Sequence, residues 1–153
     1  LSTEDWDKGF AGSANQRNSL GVLGAAGDPL KEGVNLKGTL YTAAAALPHL
    51  IASGRGLVVL MGSTAGRIAY EHGGSYVAAK HAVAAIAGTL RLELCGQPVR
   101  VTEIAPGMVE TDLLVGKIDE VGKQRVAESV PLGRLARPAD IANACLWQAR
   151  QQF

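Results

Sequence analysis

The chain has 153 residues, the length of one ordinary domain. Hydrophobic residues make up 47% and charged residues 19%, so a core can form and wholesale disorder is excluded. Fifteen basic residues face fourteen acidic ones with no basic block, which excludes electrostatically driven nucleic-acid binding, and no run reaches the roughly 18 apolar residues of a membrane span. In chain order, Leu1–Ala11 reads as a helix capped by Ser2 or Thr3, with Trp6 and Phe10 on one face. Gly12–Ser19 reads as a connector, Gly21–Gly27 as a glycine-rich stretch, and Asp28-Pro29 as a turn. Val34–Ser53 carries helical spacing through Leu36, Leu40, Ala44, Leu47, Leu50 and Ile51, with Pro48 as a possible kink. Leu57–Met61 is a short apolar run between glycines and reads as a buried parallel strand. Gly62–Gly74 is a loop, and Ser75–Leu94 an alanine-rich helix broken by Gly96-Gln97-Pro98. Val99–Ile104 alternates as a strand does and stops at Ala105-Pro106-Gly107. Helices follow at Glu110–Gly116, Ile118–Ser129 and Pro138–Gln148. This alternation is the signature of an α/β fold with a parallel sheet and crossover helices.

The cysteines and histidines say little. Cys95 and Cys145 sit in apolar helical patterns and read as reduced core residues, which points to the cytoplasm. The acidic start, Leu1 to Asp5, does not read as a signal peptide. His49, His72 and His81 are scattered and show no metal-site spacing.

In open α/β sheets, ligands bind beyond the carboxyl ends of the strands. Two small-residue loops leave those ends, Gly62–Gly66 and Pro106–Val109. Tyr76 and Lys80 stand four apart near the start of the helix after the first loop, so they share a face. A phenol is a weak base at neutrality, and an ammonium one turn away favours its phenolate. A hydroxyl at Ser63 could hold a substrate oxygen while Tyr76 gives or takes its proton. That chemistry suits an alcohol or a carbonyl. Alone, the Tyr–Lys pair is more often a surface pair that steadies a helix, and Ser63 a turn residue; their conjunction carries the weight.

These motifs together resemble the catalytic half of the short-chain dehydrogenase/reductase family. Val34–Gly38 resembles its asparagine-bearing segment, Gly62–Gly66 its serine loop, and Tyr76–Lys80 its YxxxK motif. Pro106–Thr111 resembles its PG…T segment, and Arg137–Ala142 a late helix start. The resemblance implies a Rossmann-like fold and hydride transfer between NADP or NAD and a small-molecule secondary alcohol or carbonyl. Tyr76 would be the acid/base, Lys80 would support it and bind the nicotinamide ribose, Ser63 would orient the substrate, and Asn35 would hold a water. Pro106, Gly107, Val109 and Thr111 would contact the nicotinamide end. The finer resemblance is to NADP-dependent 3-hydroxy-acid or serine dehydrogenases. The family also implies a homo-oligomer formed through the helices at 34–53 and 75–94.

The resemblance covers about Val34 to Trp147. No strand followed by a glycine-rich fingerprint for a pyrophosphate occurs, and Gly21–Gly27 does not supply one. Asn18–Gly21 resembles a degraded N-N-A-G, and Ser2–Ala11 a family segment that normally follows it. The expected organisation is a single Rossmann-like domain over 1–153, with 1–33 irregular or rearranged and 34–147 the catalytic half. The competing readings are an inactive fragment that acts through self-association and a Tyr–Lys enzyme working on a nucleotide sugar.

Overall fold

The computed structural model describes residues 33–71, 73–114 and 118–151. The helix expected at Leu1–Ala11, the connector and glycine-rich stretch up to Gly33, and His72 lie outside them, Gly33 itself excepted.

The first described element is a wide π-helical turn, Gly33–Gly38, which runs into helix α1, Thr39–Ala52. Pro48 lies inside α1. The helix closes where Ser53 N–H returns to the His49 carbonyl at 3.0 Å and Gly54 N–H to that of Ile51 at 3.1 Å. Leu47, Leu50 and Ile51 pack against the core as their spacing predicts. Leu36 is buried as expected, but Ala43 rather than Ala44 is the alanine of α1 that enters the core.

Strand β1, Gly56–Met61, pairs in parallel with β2, Val99–Ile104, residue for residue from Gly56↔Val99 to Met61↔Ile104. Parallel strands need a long crossover, and helix α2, Gly74–Glu93, provides it. Alanine keeps α2 slim. Its buried positions, Ala79, Lys80, Val83, Ala87 and Leu90, recur at helical spacing and form one face. That face meets Val58, Leu60 and Val99, and Val83 at the centre is wholly shielded from solvent. In β1 burial alternates, with Val58 and Leu60 buried and Met61 exposed.

After β2 the structure departs from the expected helix at Glu110–Gly116. Only a short 3₁₀ turn, Asp112–Leu114, forms among the described residues there. Val109 instead bridges Ala136 in parallel: Ala136 N–H donates to the Met108 carbonyl at 3.1 Å and Glu110 N–H to that of Ala136 at 2.8 Å. Those bonds hold the backbone extended where a helix would have begun. Helix α3, Glu120–Ser129, is capped by Asp119, whose carboxylate accepts from Gly122 N–H at 2.7 Å. Helix α4, Pro138–Arg150, has proline at its first position and packs against β2. Cys95 is exposed in the turn beyond α2 rather than in the core, because the helix ends at Glu93; Cys145 is half-buried, and both thiols are free. The architecture is α/β, a parallel sheet with helices packed on it. No helix among the described residues is long and apolar enough to cross a membrane.

Candidate active site

The carboxyl ends of β1 and β2 lie side by side, so their following loops start together. Gly62 N–H donates to the Ile104 carbonyl at 2.8 Å, and Thr64 N–H to that of Pro106 at 2.9 Å. The serine loop and the proline–glycine loop are thus tied directly behind the strands.

Ser63 is extended and then caps a 3₁₀ turn, Thr64–Gly66. Its Oγ accepts from Ala65 N–H at 3.1 Å, which leaves its own proton available to donate. Ser63 is 8% exposed. The turn packs against α2. This approach is close at Gly66, where an added Cβ would stand 2.6 Å from the Lys80 carbonyl oxygen.

Lys80 is a buried cation, 8% exposed, on the inner face of α2. Its Nζ donates to the Met61 carbonyl at 2.9 Å, the last residue of β1 and two before Ser63. The same Nζ lies 5.8 Å from the centroid of the Tyr76 ring, one turn earlier. That distance is within cation–π range. Tyr76 is half-buried. One ammonium therefore links the end of β1 to the phenol, and the carbonyl takes only one of its three N–H donors.

The other expected residues are placed less tightly. Asn35 sits half-buried in the π-helical turn, which packs against α2; its carbonyl accepts from the Thr39 hydroxyl at 3.0 Å. Among the described residues its side chain makes no hydrogen bond to Ser63, Tyr76 or Lys80. Pro106 is half-buried and bonded to Thr64, Gly107 is exposed, Val109 is held by Ala136, and Thr111 is exposed. An added Cβ at Gly107 would meet only Thr64 Cγ2, at 3.7 Å, so its backbone stays open to a ligand. A groove of about 340 Å³ between α1 and β1 holds none of these residues and is mostly apolar, so it does not mark the chemistry. Among the described residues no group of three or more His, Cys, Asp or Glu side chains gathers as a metal site.

Sequence reasoning misses the Met61 carbonyl, because a backbone acceptor leaves no mark in the sequence. It also misses two ion pairs around the loops. Arg67 Nη2 meets Glu103 Oε2 at 2.6 Å, and Arg134 binds Asp140 through two bonds of 2.8 and 3.2 Å. Asp140 also accepts from Arg137 N–H at 2.7 Å. The Arg134 guanidinium, followed by that N–H, pulls the Asp140 carboxyl from 3.8 down to about 2. Together they brace the segment that supplies Ala136 to the second loop.

A family model of short chain dehydrogenases matches residues 33–121, more than half of the chain. An uncharacterised oxidoreductase of Mycobacterium tuberculosis is 50% identical over 99 residues, covering 65% of this chain and 39% of the relative. A 3-oxoacyl-acyl-carrier-protein reductase of Thermotoga maritima is 30% identical over 119 residues, covering 78% and 48%. Among solved structures, a 3-oxoacyl-acyl-carrier-protein reductase from Brucella melitensis aligns with a TM-score of 0.72 at 32% identity, over 82% of this chain and 48% of that one. A gluconate 5-dehydrogenase from Burkholderia cenocepacia, in complex with NADP and tartrate, aligns with a TM-score of 0.64 at 26% identity, over 69% and 42%. The chain thus spans less than two thirds of the length of each of these relatives.

Proposed function

The chain belongs to the short-chain dehydrogenase/reductase family, and on that footing we propose that it is an oxidoreductase that moves a hydride between a nicotinamide cofactor and a secondary alcohol or its carbonyl. The observation that carries this reading is the Lys80 ammonium, anchored on the Met61 carbonyl at 2.9 Å and 5.8 Å from the Tyr76 ring. The ammonium lies beside the ring of the residue that would exchange the proton. In the oxidative direction Tyr76 takes the proton from the substrate hydroxyl; in the reductive direction it returns that proton to the forming alkoxide. Ser63, already accepting from Ala65, donates its own proton to the substrate oxygen and so fixes its position. The nicotinamide, when bound, supplies and receives the hydride. The two remaining donors of Lys80 suit ribose hydroxyls, and the open backbone at Gly107, with Pro106, Val109 and Thr111, suits the nicotinamide end. Asn35 would hold a water between the helix turn and Lys80.

NADP or NAD is the proposed cofactor, NADP being the nucleotide in the gluconate 5-dehydrogenase complex, and a 3-hydroxy acid or thioester, or its 3-oxo form, is the proposed substrate. The names of the Thermotoga and Brucella relatives support that substrate class. A reducing, cytoplasmic setting suits the two free thiols. The test is NADPH-dependent reduction of an acetoacetyl thioester by the purified chain. Tyr76→Phe should lower kcat at least about 10²-fold with the fold unchanged. Equal rates in the two proteins would take Tyr76 out of the mechanism.

A second copy pairing through α1 and α2 is the accompanying proposal. Both helices present exposed alanines, Ala44 and Ala45 on one and Ala78 and Ala85 on the other, which allow close approach.

A further inference from the structure

We infer that Arg67 and Glu103 are positioning residues that set the orientation of the Ser63 hydroxyl; the consequence for turnover rests on the oxidoreductase reading, while the structural part stands apart from it. Glu103 lies on β2 beside Leu60. Its side chain is only 3% exposed, whereas that of Arg67 is 59% exposed. One carboxylate oxygen, Oε2, receives Arg67 Nη2 at 2.6 Å. The other, Oε1, is buried without a hydrogen-bond partner among the described residues. That oxygen fills the space a side chain at Gly62 would need, so the carboxylate lies against the start of the serine loop. Arg67 stands at its other end, directly after the 3₁₀ turn that Ser63 caps. A single carboxylate therefore touches both ends of the segment that aims Ser63.

The remaining hydrogen bonds to other elements act on the near end only; beyond it the turn is seated on α2 by packing at Gly66. Gly62 and Thr64 are bonded to Ile104 and Pro106, and Met61 to Lys80. The far end, at Arg67, is held by local bonds within the turn, from Gly66 N–H to the Ser63 carbonyl and from Arg67 N–H to that of Thr64, both at 2.9 Å. Without Glu103 the turn keeps its packing on α2 but loses its polar tie to β2, so it can shift along the helix and carry with it the Ala65 N–H that Ser63 Oγ accepts. A buried carboxylate with one idle oxygen is a costly way to add stability. As a clamp on a loop it has a clear effect, because a displacement of about 1 Å at a reacting group can cost on the order of 10² in rate.

Backbone amide hydrogen exchange on the purified chain tests the clamp directly. Arg67 is exposed, so Arg67→Ala should fold. It should lower protection at the Ala65 and Gly66 amides about tenfold while the strand amides of Val58, Leu60 and Thr102 stay within about twofold. Arg67→Lys should restore most of that protection. Glu103→Gln should produce the same local loss, and the double variant no more than either single one. In the acetoacetyl-thioester assay the same variants should lose about tenfold in kcat with KM within about twofold. Unchanged protection at Ala65 and Gly66 in Arg67→Ala, or a loss spread evenly over the sheet, overturns the inference. A wild-type chain without turnover would remove the oxidoreductase reading alone, and the exchange result would still decide the clamp.

Discussion

Gly66 shows how tightly the site is built. Its backbone lies where an added Cβ would come within 2.6 Å of the Lys80 carbonyl. Replacing glycine by alanine elsewhere often stabilises by about 0.4–1 kcal/mol through the unfolded chain. Here the obstruction is helix backbone, which cannot turn aside, and overpacking costs about 1–3 kcal/mol. The second effect wins, so Gly66→Ala should destabilise by about 1–2 kcal/mol, read as a lower denaturation midpoint at unchanged slope. Equal or greater stability would mean that the turn does not rest on α2. At this scale much of the site is legible in the sequence. Ser63, Tyr76 and Lys80 are near one another along the chain, and helical spacing alone puts the last two on one face. The partner of Glu103 is not legible, because its contact with Arg67, 36 residues away, depends on strand register.

Between elements, the decisive joint is the bridge from Val109 to Ala136, which brings the start of α4 to the loop behind β2. It also explains why local sequence misleads at Glu110–Gly116: helical propensity there competes with two long-range backbone bonds and loses. β2 and the α2 crossover obey their local pattern because strand alternation and alanine-rich periodicity agree with the fold. Asp140 stabilises the joint in a pH-dependent way. Its carboxyl, held near 2 by Arg134 and then by Arg137 N–H, lies below the ordinary 3.8. A depressed carboxyl contributes stability that is fully present above the ordinary value and is lost as pH falls through about 2. Asp140→Asn should therefore lower the Tm by a few degrees near neutral pH, with the two melting curves converging at about pH 2. The difference should shrink in high salt, since the pair is at the surface. A gap between the curves that is independent of pH would contradict this account.

Taken whole, the described residues hold a two-stranded sheet, with β1 paired to β2 alone. Among the described residues the outer edges of both strands carry no strand partner, and such edges are open to pairing. Several large apolar side chains also face solvent, among them Leu92, Leu132 and Trp147, each at least 60% exposed. Pairing with a second copy would cover part of this surface. Sedimentation velocity over a wide concentration range should show a reversible rise in mass, and a strict monomer throughout would refute it. The central claim is that the cluster at the ends of β1 and β2 is a working nicotinamide site. It is tested most directly by titrating the chain with NADPH and following nicotinamide fluorescence, beside Lys80→Met, which keeps the side chain's length and removes its charge. The account predicts saturable binding by the wild type and at least about tenfold weaker binding by the variant. No binding at millimolar cofactor, or equal binding by both proteins, would contradict it.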